Sequence, residues 1–240
     1  MQAKHIVSLL TITLITGGLL LRPGELVSQQ PVTVGQPMPD FTLPALQGGD
    51  VTLSRLRGNT VLLIFPRGKS GGGWCHVCHY QYAELAEFDQ QEGLRANHNV
   101  EILFVLPYGR ELVREWVDKF PAQLQDIEDW KNPPDQANLD ERQKARMETV
   151  RQYYPKQFKY TAGNVPVPFP ILIDADRAVS ERLRLFATNW SGAEAEQNVP
   201  TIFVLDGNGI VQFKYHSQNT LDRPGPDYLV RVIEQLVPHD

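Results

Sequence analysis

Cysteine is scarce in this chain. Only Cys75 and Cys78 occur in 240 residues, which excludes a small scaffold stapled by several disulfides. Any intramolecular bridge must join these two, across a loop too short to contribute much chain-entropy stabilisation. A pair this close is more often redox-active or metal-binding than architectural. There is no long basic stretch and the net charge is −5, so no nucleic-acid partner is expected. No fixed-period repeat is present either. What the chain does have is an ordinary apolar content of 42%, enough for one domain with length left over for an extension or insertion.

The N-terminus reads as a targeting segment. Lys4 and His5 precede an apolar run from Ile6 to Leu21, broken only by Ser8, Thr11, Thr13, Thr16 and Gly17-Gly18, and Arg22-Pro23-Gly24 ends it. The run fits a secretory segment and falls slightly short of the roughly 20 residues of a spanning helix. No clean small-residue cleavage site follows, so a cleaved signal and an uncleaved anchor both remain open. Residues 1–36 are thus expected to be signal or anchor plus linker, and 37–240 the folded domain. The expected location is outside the cytoplasm, periplasmic or otherwise extracytoplasmic, with residues 6–21 as the membrane attachment if retained. Such a compartment permits disulfide chemistry.

Along the folded part, the spacing predicts a hairpin over Phe41 to Leu53 with a turn at Gln47-Gly48-Gly49-Asp50. Val61 to Phe65 reads as a buried central strand. A glycine-rich loop, Gly68 to Gly73, leads into the cysteine pair. Cys78, Tyr82, Leu85 and Ala86 then fall on one helical face that ends near Gly93. Val100 to Leu106 is a second buried strand. Glu111 to Phe120 is an amphipathic helix with Leu112, Trp116 and Phe120 inward. Residues 121–165 read as an insertion, with a helix from Leu139 to about Tyr153. Pro170 to Asp174 is a third strand, and a helix is expected from Val179 to Phe186. Thr201 to Leu205 and Ile210 to Tyr215 flank Asp206-Gly207-Asn208-Gly209 as a hairpin, and a last helix runs from Tyr228 to Leu236. Asp174 and Asp176 read as helix caps rather than a catalytic carboxylate pair. Strands and helices alternating before a closing hairpin imply an α/β sandwich with a mixed sheet.

At Gly73-Trp74-Cys75-His76-Val77-Cys78 the chain resembles the thioredoxin superfamily. Gly35-Gln36-Pro37-Met38-Pro39-Asp40-Phe41-Thr42-Leu43 resembles the opening of its redoxin branch, which holds the AhpC/TSA peroxiredoxin-like proteins and the membrane-anchored TlpA/ResA-type reductases. Val199 to Gly209 resembles the segment that carries the family's cis-proline. The resemblance spans roughly residues 35–237 apart from the insertion. It implies a thioredoxin-like three-layer α/β sandwich and a cell-envelope thiol–disulfide oxidoreductase. The implied partners are protein dithiols or disulfides, or a small thiol, and an upstream electron donor or acceptor. No cofactor and no metal are called for.

The thiolate is the attacking species. Cys75 would lie at a helix N-terminus, where free backbone N–H groups and the dipole favour the anion. Cys78, nearly a turn on and more buried, would resolve the mixed disulfide. A protonated His76 would further favour the Cys75 thiolate, unless it merely points into solvent. The resemblance makes Trp74 a cap beside the pair and Pro200 a cis-proline packed against it, leaving the Val199 backbone free for an extended substrate. The buried acid that thioredoxins carry before the strand's closing phenylalanine is Ile64 here. Glu84 is a candidate stand-in, although a solvated position is the plainer reading.

Three rival readings follow. A peroxiredoxin-like thiol peroxidase needs a threonine three residues before its cysteine and a later arginine, but Gly72 and Pro200 stand at those places. Cys75-His76-Val77-Cys78-His79 is also the string that attaches c-type haem. A Sco-like copper protein could use Cys75, Cys78 and His216, or His79, as ligands, although His216 reads more simply as a strand-end residue and His79 as helix surface.

Overall fold

The computed structural model describes residues 31–237. The segments at 1–30 and 238–240, and with them the expected apolar segment 6–21, lie outside the described residues. Among those described, no helix is long and apolar enough to cross a membrane.

β1 (Thr42–Pro44) and β2 (Asp50–Thr52) form the expected N-terminal hairpin. The chain is engaged before it: Val32 is buried in the core, and Gly35 N donates to Val211 O at 2.8 Å. A 3-10 turn at Leu53–Leu56 leads to β3 (Thr60–Phe65), every residue of which is buried. The glycine-rich loop is itself structured, as a minute hairpin of β4 (Lys69–Ser70) and β5 (Gly73–Trp74). α1 (His76–Glu92) follows and stops at Gly93, a left-handed residue whose N–H returns to Asp89 O. After α2 (Leu94–His98) comes β6 (Val100–Leu106). α3 (Arg110–Asp118) and α4 (Phe120–Lys131) run on in succession, so the insertion is helical from its first residues. α5 (Glu141–Tyr153) starts at a capping box between Asp140 and Gln143.

β7 (Ile171–Ile173) then joins the sheet. The expected helix from Val179 to Phe186 is cut short. α6 spans only Ala178–Arg182, and Phe186 opens an unforeseen hairpin of β8 (Phe186–Trp190) and β9 (Ala193–Asn198). Its turn is Ser191-Gly192, both at positive φ (50° and 78°), the backbone that closes tight hairpins. β10 (Thr201–Leu205), β11 (Val211–His216) and α7 (Pro226–Leu236) complete the chain.

The central sheet has the order β11-β10-β3-β6-β7. β6 runs parallel to both β3 and β7, whereas β10 is antiparallel to β3 and β11. Alternation along these strands divides two cores. Leu62, Ile64, Ile102, Phe104 and Val204 face one side with α1, α3, α4 and α7. Val61, Leu63, Leu103, Val105 and Phe203 face the other, with the β1–β2 hairpin and α6. The mixed-sheet, three-layer α/β expectation holds. On α3 the inward residues are Val113 and Trp116, and Phe120 is buried as expected; Leu112 is exposed, its place taken by Val113 three residues before Trp116.

Candidate functional site

The cysteine pair sits where β3 gives way to α1. β3 ends in Phe65-Pro66-Arg67-Gly68, and Gly68 O accepts from Cys75 N at 2.9 Å. Gly68 has φ +79° and faces the Tyr108 ring so closely that a Cβ would overlap it. Tyr108 Oη in turn accepts from Lys69 N at 2.8 Å and donates to Glu196 O at 2.6 Å. The long loop is therefore pinned from below.

Cys75 is the N-cap of α1, with extended backbone (φ −76°, ψ 108°). Its Sγ accepts from Cys78 N at 3.3 Å, a first-turn N–H that is shared with Cys75 O at 3.1 Å. The two sulfurs are joined as a disulfide. Cys75 retains 4% of its surface and Cys78 none, so of the two only Cys75 touches solvent.

Trp74 is buried beside the pair and held on three sides. Its indole N–H donates to Glu115 Oε1 at 2.8 Å, Lys69 Nζ lies 3.9 Å from the ring centroid, and Tyr108 meets it edge-on. The indole hydrogen bond, aided by nearby Lys69, holds the Glu115 carboxyl below the usual range. His76 does not point into solvent: its Nε2 lies 2.9 Å from Asp126 Oδ2, and Trp130 packs on the ring at 4.4 Å. Both partners come from α4, so the insertion covers the motif.

Pro200 corrects the expectation drawn from the resemblance. Among the described residues no peptide bond is cis. The β8–β9 hairpin delivers the chain to β10 already extended, so no reversal is needed at Pro200 and the ordinary trans bond serves. The Val199 backbone is not free either. Its N–H donates to Leu185 O at 2.6 Å, and its carbonyl accepts from Thr201 Oγ1 at 3.0 Å.

His79 is not on the helix surface. It is fully buried, with Nδ1 3.0 Å from Cys75 O and Nε2 2.8 Å from Trp116 O. Burial pulls its pKa down to about 4, against the raising effect of the two carbonyls. Both ring nitrogens are thus occupied in packing, which does not suit a haem or copper ligand. His216 is a strand-end residue bonded to Thr201 Oγ1, and among the described residues no three His, Cys, Asp or Glu side chains converge as a metal site. Glu84 is half-buried rather than solvated, and burial raises its carboxyl. Asp174 does cap α6: its two oxygens accept from Val179 N and Ser180 N at 3.1 and 2.8 Å.

The profile of the AhpC/TSA family matches residues 34–214. The chain belongs to the AhpC/TSA family. It is similar in fold to a reduced 2-Cys peroxiredoxin of Plasmodium vivax, with 19% identity, a TM-score of 0.51, and 84% of this chain and 94% of that one covered. AhpC of Mycobacterium tuberculosis is similar too, with 17% identity, a TM-score of 0.52, and 86% and 94% covered. So is a cysteine-to-serine mutant of peroxiredoxin 6 from Arenicola marina, with 14% identity, a TM-score of 0.52, and 85% and 73% covered. No curated protein matches the sequence. The redoxin resemblance read from the N-terminal and Trp-Cys-x-x-Cys segments therefore holds, and within the family this chain carries its two sulfurs three positions apart.

The sequence could not show Asp126, Trp130, Glu115 or Tyr108 reaching the site, because each arrives from a distant element. The tight turn Ser191-Gly192, flanked by Phe186-Ala187 and the alternating Ala193 to Glu196, was the available signal for the missed hairpin.

Proposed function

We propose that the chain is a thiol–disulfide oxidoreductase of the cell envelope, working through Cys75 and Cys78. The observation that carries this reading is the Cys75 sulfur at the N-cap of a 17-residue helix, bonded to a second, fully buried sulfur. In the reduced protein the same first-turn N–H would face a Cys75 thiolate, which a charge-assisted hydrogen bond and the helix dipole stabilise. That anion attacks one sulfur of a substrate disulfide, forming a Cys75–substrate bond and releasing the other half as thiolate. Cys78 then loses its proton and attacks Cys75. The internal disulfide forms, the second substrate thiolate leaves, and the Cys78 proton ends on a leaving sulfur. Two electrons pass from the protein to the substrate, and an external dithiol restores the pair. Trp74 walls the site, and His76 meets Asp126 at its mouth. The apolar run at Ile6 to Leu21 supports an extracytoplasmic setting, where protein disulfides are available as substrates.

The test is reduction of a protein disulfide such as insulin's. Cys75→Ser abolishes it, and Cys78→Ala accumulates a mixed disulfide with substrate. Undiminished reduction by Cys75→Ser would sink the reading. Thiol peroxidase activity is the second reading, favoured by the family match. It predicts peroxide consumption that depends on Cys75 and on a dithiol donor. Gly72 and Pro200 stand where the peroxide-orienting groups would be expected, which favours disulfide exchange.

A further inference from the structure

Val77, between the two cysteines, lines a cavity of about 450 Å³. That is within the size range of small-ligand sites. Its walls are aromatic: Tyr153 and Tyr154 from the end of α5, Tyr215 from β11 and Tyr228 from α7. Two buried polar side chains also line it. The Arg223 side chain is only 6% exposed, and Gln81 keeps 4% of its surface.

Their hydrogen bonding is incomplete. Arg223 directs Nη1 to Ser217 Oγ, to the carbonyls of Asn219 and Asp222, and to Asp222 Oδ1. Its Nε and Nη2 meet no acceptor, and neither does Gln81 Nε2. Three of the seven buried side-chain atoms left without a partner among the described residues thus belong to this one cavity's wall. A buried donor without an acceptor costs about 1–3 kcal/mol, more when charged, so such clustering calls for an acceptor from outside. Asp222 does not fill that role, since its oxygens also accept from the loop amides of Gln218 and Asn219. Glu84 also lines the cavity, and burial raises its carboxyl above the ordinary value.

We infer that this cavity is a binding site for a carboxylate on an apolar stem, presented by a disulfide substrate next to its reacting sulfur. A carboxylate supplies two acceptors to the Arg223 fork, the tyrosines cover the stem, and Val77, in the turn between Cys75 and Cys78, closes the end of the cavity nearest the pair in the chain. The inference rests on the oxidoreductase reading for its reacting sulfur and on the cavity alone for its carboxylate. A small dithio-acid and an acidic side chain of a protein substrate both offer that group.

Two measurements test it on the full chain. The first is binding of 3-phenylpropionate and of its neutral amide to the oxidised protein by calorimetry. The acid is expected to bind at least tenfold tighter, with that preference lost in both Arg223→Met and Gln81→Leu, each checked for fold by circular dichroism. Equal affinity for acid and amide, or a preference that survives in both variants, overturns the site. The second is the rate at which the reduced protein cleaves 3,3′-dithiodipropionate relative to the neutral bis(2-hydroxyethyl) disulfide. A ratio above ten supports a small acid as the source. A ratio near one, with a tenfold Glu-over-Gln preference in a peptide disulfide, supports a protein side chain, and no preference in either series overturns the proposal. Failure to cleave any disulfide would instead remove the oxidoreductase reading, and the binding measurement would still decide the cavity.

Discussion

His76 and Asp126 meet across 2.9 Å at the mouth of the site, the imidazole in the first turn of α1 and the carboxylate on α4 of the insertion. A histidine between two cysteines could act on the Cys75 sulfur through its charge, but here its ring is directed to a carboxylate. That hydrogen bond turns Nε2 toward Asp126 on α4 rather than toward the sulfur. Replacing His76 with Asn should therefore lower the reduction potential of the couple by no more than about 30 mV, equivalent to roughly one unit of thiolate pKa. Redox titration of the variant against the parent checks this. A fall beyond about 60 mV would mean that the imidazolium acts on the sulfur directly.

Gly68 is held at φ +79°, and any Cβ there overlaps the Tyr108 ring. Its carbonyl also fixes the Cys75 N–H. Gly68→Ala should cost about 2–4 kcal/mol, combining left-handed strain with overpacking, and should slow disulfide cleavage because the N-cap residue shifts. Gly71→Ala is the control. Its φ is +65° but nothing lies within 4 Å of the added carbon, so it should cost about 1 kcal/mol. Denaturant unfolding of both variants measures the difference. Equal losses would show that Tyr108 yields without cost.

Asp174 is fully buried and serves two backbone donors at the start of α6. Asp174→Ala leaves both without a partner and should destabilise the fold by about 2–3 kcal/mol. For a domain of this size that lowers Tm by about 4–12 °C. Asp176, exposed and serving only Ala178 N, should cost well under half as much when replaced. A thermal melt of each variant decides. If Asp176→Ala proved the more costly, the α6 cap would be misassigned.

Much of the scaffold was legible because local chemistry and tertiary structure agree. The apolar runs at Val61 and Val100 are buried on both faces, Gly93 stops α1, and Asp206-Gly207-Asn208-Gly209 closes the last hairpin. The readings that failed depended on long-range company. Phe186 suits a helix end or a strand equally, and pairing with Asn198 decides it. The resemblance implies a cis Pro200, yet the bond is trans and the β8–β9 hairpin stands before it. Cys75 and Cys78 could be named from spacing alone. That Asp126 and Trp130 cover His76, or that Tyr153 and Arg223 share a cavity with Val77, depends on elements far apart in the chain.

His79 carries the last prediction. Its imidazole is buried between Trp116 and Phe120, and each ring nitrogen faces a backbone carbonyl, of Cys75 and of Trp116. A neutral ring donates to only one of them. Protonation would satisfy both, but at the cost of burying a charge, and desolvation prevails, placing the folded pKa at about 4 against 6.5 for the free group. Between those values the unfolded chain binds a proton that the folded chain does not. Stability is therefore fully present above pH 6.5 and falls as pH drops toward 4, by on the order of 3 kcal/mol in total. Urea unfolding of the oxidised protein at pH 7.5, 6, 5 and 4 should show that decline, beyond any shared acid loss from carboxylates. In His79→Leu, which removes the titrating group, the part of the slope between pH 6.5 and 4 should disappear even if the variant is less stable throughout. An unchanged slope in the variant would mean that another group titrates there and that the imidazole is already charged between its two carbonyls.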